Sequence, residues 1–96
     1  MPSFRVTMII GALQPGNAPA SVLPTAAAAA AELTTVEASD LALVKGSPRV
    51  TVRFTADDAE QAVGIGRRVI EATRTVADPV SSVVTERVQG SWVAIR

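Results

Sequence analysis

The chain has 96 residues, 48% of them hydrophobic and 19% charged, with nine Lys plus Arg balanced by nine Asp plus Glu and neither Cys nor His. This length accommodates one small domain, residues 1–96, and the apolar content excludes collagen-like or disordered chains, while zero net charge disfavours a polyanion-binding arm. The lack of Cys and His removes disulfides, thiol nucleophiles, the usual zinc sites and histidine acid–base catalysis. The aromatics are Phe4, Phe54 and Trp92, so the core has to be built from Val, Ile, Leu and Ala, which favours close backbone approach over large interlocking side chains. Lys45 is the sole lysine beside eight arginines. With abundant Ala and Val, this is the composition expected of a GC-rich bacterial genome.

At the N-terminus, Phe4, Val6, Met8 and Ile10 alternate with Arg5, Thr7, Ile9 and Gly11, the period of a strand buried on one side. The same stretch, Arg5 followed by Val6 to Leu13 and then Ala18-Pro19-Ala20, imitates a secretory leader. The strand reading is preferred on this alternation, and cleavage would discard that strand. Gln14-Pro15-Gly16-Asn17 is a turn cluster, and a helix is predicted from Val22 to about Leu33. Pro24 is tolerated in its first turn, and the alanine run 26–31 supplies strong helix propensity. Thr35 to Val44 is predicted as a strand bulged at Ser39-Asp40, where apolar parity changes from Val36 and Ala38 to Leu41 and Leu43.

Lys45-Gly46-Ser47-Pro48 is read as a turn, followed by the clearest strand, in which Val50, Val52 and Phe54 alternate with Thr51, Arg53 and Thr55. Asp57 and Glu60 have the spacing of a helix cap. Ala59, Ala62, Val63, Gly66, Val69, Ile70, Thr73 and Val76 then form the apolar stripe of a second helix that ends at Asp78-Pro79. Ser82 to Val88 and Trp92 to Ile95 read as strands joined by the turn Gln89-Gly90-Ser91. The order implies an α+β, ferredoxin-like βαββαβ two-layer sandwich. Its antiparallel sheet has four strands, with both helices on one face and the last strand bent or extended as a hairpin. Right-handed crossovers place the first and third strands at the centre.

Gly64-Ile65-Gly66 lacks the strand and the third glycine of a dinucleotide loop, so its glycines are expected to let the helix approach the sheet. Asp57-Asp58 reads as a cap rather than a catalytic pair, and Glu37, Asp40 and Glu86 read as surface charge. No catalytic residue, metal ligand or cofactor site is expected. With Phe4 and Phe54 inward, the sheet lacks the exposed aromatics of an RNA-binding platform, so nucleic acid is not expected as a partner. A membrane is not expected either, because no stretch reaches the roughly 20 apolar residues of a span, and the cytoplasm is the expected compartment.

The informative feature is the sheet face left bare of helices, which carries Arg5, Thr7, Thr51, Arg53 and Thr55, with Trp92 nearby from the last segment. An ordinary solvated sheet would carry similar residues. The leading expectation is a small non-catalytic protein that self-associates as a homodimer through this face or the C-terminal hairpin. The alternative is a binding or enzymatic domain whose arginines hold an anionic metabolite between the sheet and a partner subunit.

Overall fold

The computed structural model describes residues 1–95. In chain order the elements are β1 (Ser3–Leu13), a short 3-10 turn (Pro19–Ser21), α1 (Val22–Ala31), β2 (Val36–Val44), β3 (Ser47–Thr55), α2 (Ala59–Thr73), β4 (Ala77–Val88) and β5 (Ser91–Ala94). The strands form one sheet in the order β2-β3-β1-β4-β5, and every pairing is antiparallel. The fold is therefore α+β, two helices on a five-stranded sheet. The expected four strands become five because the C-terminal hairpin adds β5 beyond β4.

Alternation in the two central strands decides what lies beneath the helices. In the β1/β3 ladder Phe4 lies opposite Phe54, Val6 opposite Val52 and Met8 opposite Val50, and all six side chains are fully buried. The Phe4 and Phe54 rings stack with centroids 6.2 Å apart. Above them α1 contributes Val22, Ala26, Ala29 and Ala30, and α2 contributes Ala62, Ile65 and Val69. Small side chains on both helices bring the layers close. At Gly66 an added Cβ would lie 2.6 Å from a Val84 methyl, so only glycine lets α2 settle onto β4 without a shift. Gly64 faces open space, so of that pair only Gly66 serves the packing.

Several boundaries differ from the sequence reading. The β2 bulge falls between Val36 and Ala38, not at Ser39-Asp40. One extra residue anywhere between Val36 and Leu41 changes parity in the same way, and here Glu37 is the insertion. As a result Val36 and Leu41 share the helix side while Ala38 lies on the bare side. Asp58, not Asp57, caps α2, accepting from Gln61 N at 2.8 Å, while Gln61 Oε1 returns to Asp57 N at 2.6 Å. This is a capping box shifted by one residue. The α1 helix stops at Ala31, and α2 ends at Thr73, before Asp78-Pro79. Pro79 sits inside β4, paired with Ile10 between two register shifts, where an irregular ladder tolerates a missing N–H. The turns Lys45-Gly46 and Gln89-Gly90 both have positive φ at each residue, the geometry of the tightest two-residue hairpins. Ser47 and Pro48 therefore belong to β3 and not to the turn.

Candidate functional site

The face of β1 and β3 turned away from the helices carries Ser3, Arg5, Thr7 and Ile9 opposite Thr55, Arg53, Thr51 and Arg49. Arg5 and Arg53 are thus direct cross-strand neighbours, an arrangement of like charges that costs stability unless something offsets it. Two features of the chain do so. From β5 the Trp92 ring reaches across β4, with the Arg5 guanidinium carbon 4.0 Å from its centroid and those of Arg53 and Arg87 each 5.2 Å away. A cation over the face of an indole is attracted by the ring quadrupole. The second feature is the β2 bulge, which sends Glu37 to the same face.

Glu37 Oε1 accepts from Arg53 Nε at 3.2 Å and from Ser3 Oγ at 2.7 Å. The Ser3 hydroxyl holds the Glu37 carboxyl below its ordinary value; desolvation opposes it, and the Arg53 guanidinium adds to the lowering. Sequence reading left Glu37 as an isolated surface acid. Its pairing corrects that, and the reason is the bulge: two residues, Glu37 and Ala38, share the position opposite Arg53, which re-aims the glutamate.

Beside this cluster lies an open cavity of about 320 Å³ lined by Arg5, Thr7, Arg49, Thr51 and Arg53 from the central strands and by Ala38, Ser39 and Asp40 from β2. Arg5, Thr7, Thr51 and Arg53 are therefore brought together as the alternation implies. Thr55 is not among the lining residues: it stands at the far end of β3, where the Thr34 hydroxyl donates to its carbonyl and meets its Oγ1 at 3.2 Å. Trp92 braces the arginines without lining the cavity. Guanidiniums of its own chain, those of Arg5, Arg53 and Arg87, lie over its ring.

Sequence reading missed Arg49 and Arg87 and left Asp40 as surface charge. Arg49 lies one residue before the predicted start of β3, so it was assigned to no face. Among the described residues the ion pairs are Arg53–Glu37 and Arg74–Glu71, which leaves Arg5 and Arg49 without a carboxylate within ion-pair distance. No group of three or more metal-ligating side chains occurs among the described residues. None of their helices is long and apolar enough to cross a membrane.

Comparisons with protein-family models, curated proteins and solved structures return no match. The chemistry of the site rests on its own geometry. Against the one carboxylate of Asp40, three guanidiniums and two threonine hydroxyls around the cavity leave donors in excess, the complement of a carboxylate or phosphate.

Proposed function

We propose that the chain is a binding domain that receives a small anion, a carboxylate or a phosphate ester, on the bare face of its sheet. The observation that carries this reading is the direct opposition of Arg5 and Arg53 beside Arg49 in one cavity. Like charges so placed are a standing cost, and Trp92 and Glu37 offset only part of it. An anion bridging them turns that cost into attraction. The cavity volume falls at the small end of metabolite pockets, which run from about 300 Å³ upward. We read the fold as ferredoxin-like, supported by the order β2-β3-β1-β4 and the positions of the two helices, with β5 as an added edge.

Homodimerisation face to face through this surface is the less favoured use of it. Such packing would set Arg5, Arg49, Arg53 and Arg87 near their own copies, and opposing fields of one sign repel. Trp92 is already engaged by arginines of its own chain.

The test is thermal denaturation at low ionic strength with inorganic phosphate or a dicarboxylate, against chloride at matched ionic strength. Binding only the folded state raises Tm. Phosphate or dicarboxylate should raise it where chloride does not, and Arg49→Ala or Arg53→Ala should remove the shift. Equal responses to all anions would overturn the proposal.

A further inference from the structure

The opposite side of the sheet has an unexplained feature at β2. This strand is one edge of the sheet. Between the bulge and the Lys45-Gly46 turn, Ala38–Val44 carries a single charged side chain, Asp40. Exposed edges are normally blunted by several charges, a proline, a bulge or very short length, and β2 has its bulge only at the Val36/Ala38 end. On the helix side of this edge, Leu41 and Leu43 are 41% and 73% exposed. With Ile10, Leu13, Val22 and Pro48 they border an apolar hollow of about 400 Å³. The α1 helix buries Val22 and three alanines in the core with Leu23 packed at its margin, and Leu41 and Leu43 of β2 remain exposed.

We propose that a second copy of this chain pairs with β2 edge to edge, antiparallel about a two-fold axis, with the hollow closed by leucines from both copies. Such a pair keeps helices on the same side of a continuous sheet only if the axis passes through a residue, so that each side chain meets one of its own face. Side-chain pairing then selects the register. An axis at Asp40 would oppose two carboxylates. One at Leu41 would draw the Glu37 bulge, already tied to Arg53, into the ladder. An axis at Ala42 sets Leu41 opposite Leu43 of the second copy, twice. It also places Asp40 opposite Val44 of the second copy, beside the lysine at 45. Of these registers only the Ala42 axis pairs both leucines of each copy with leucine; the Leu41 axis sets Glu37 opposite Lys45 of the second copy but leaves Leu43 facing Ser39. This arrangement is isologous, and it leaves both arginine faces open on the same side, so it stands independently of the anion reading.

Sedimentation equilibrium of the full chain, without added anion, tests the proposal. A monomer–dimer equilibrium is expected, and Leu43→Lys should weaken it by roughly tenfold to a hundredfold, since one substitution removes two buried leucines. Leu43 is mostly exposed in the single chain, so the circular dichroism of this variant should be unchanged. Asp40→Lys should also weaken the dimer, and Asp40→Lys with Lys45→Asp should restore it. Arg5→Ala should leave it intact. A wild-type monomer at high micromolar concentration, or a Leu43→Lys dimer of undiminished affinity, would overturn the edge interface. A charge swap that restores nothing would overturn its register.

Discussion

The two faces of the β1/β3 ladder share one backbone and one register, yet they are built on opposite principles. Beneath the helices, Phe4–Phe54, Val6–Val52 and Met8–Val50 are matched apolar pairs with no exposure, and their contribution is the removal of area from water. On the bare side the same ladder pairs Arg5 with Arg53 and Ile9 with Arg49. There the chain adds Trp92 and Glu37 to hold a cluster that the strands alone would disfavour. One face is arranged for stability and the other holds charges together at some expense to it. Substitutions on the two faces should separate these roles.

The largest effect belongs to the covered face. Phe54→Ala removes a fully buried ring from its stack with Phe4 and should cost about 3 to 5 kcal/mol. That is a large part of the roughly 5 to 15 kcal/mol that holds a small domain together. Urea denaturation followed by circular dichroism should show a much lower midpoint or no folded baseline. A loss below about 1 kcal/mol, within the range of surface changes, would mean that the stacked pair is not central to the core.

The second helix offers a pair of opposite sign. Gly66→Val drives side-chain atoms into Val84 and should destabilise by about 1 to 3 kcal/mol through overpacking. Two residues earlier, Gly64→Ala meets nothing within 4 Å and should stabilise by about 0.5 to 1 kcal/mol, since alanine is the better helix former. Equal effects at the two positions would contradict the close approach of α2 to β4.

On the bare face, Trp92→Ala withdraws the ring from beneath three guanidiniums. The cost should be about 1 to 2 kcal/mol at low salt, and it should shrink as added salt screens the arginines from one another. A salt-independent loss would assign the tryptophan to packing alone.

How far these faces could be read beforehand follows from what alternation does and does not encode. The strands Phe4 to Ile10 and Val50 to Phe54 are apolar at every second residue, so their covered and bare sides are plain. Alternation reports that β2 changes parity but not where, and the polar pair Ser39-Asp40 drew the bulge away from Glu37. With it went the Arg53–Glu37 ion pair of the site. Pro79 resembled a helix stop because a local rule cannot foresee the register shifts that accommodate it within β4. Trp92 is separated from Arg5 by nearly the whole chain, and only the strand order, with β5 two places from β1, brings them together.

The smallest effect probes the offset supplied by Glu37. Its folded-state carboxyl titrates below its ordinary value of 4.5, so the folded state binds fewer protons than the unfolded one as pH falls through that region. Stability from the Ser3 and Arg53 contacts is therefore fully present above the ordinary value and is lost as pH drops through the lower folded one. The Glu37→Gln variant cannot make this transition, and its stability relative to wild type should be lowest near neutrality and recover toward acid. Because the Arg53–Glu37 pair is partly open to solvent, the difference should be small and should fade in salt. Parallel stability–pH curves for the two proteins would show that Glu37 does not offset the paired arginines. An anion on the bare face would then be opposing an Arg53 charge that Glu37 does not neutralise, and Arg53 should gain more from phosphate than it does beside Glu37.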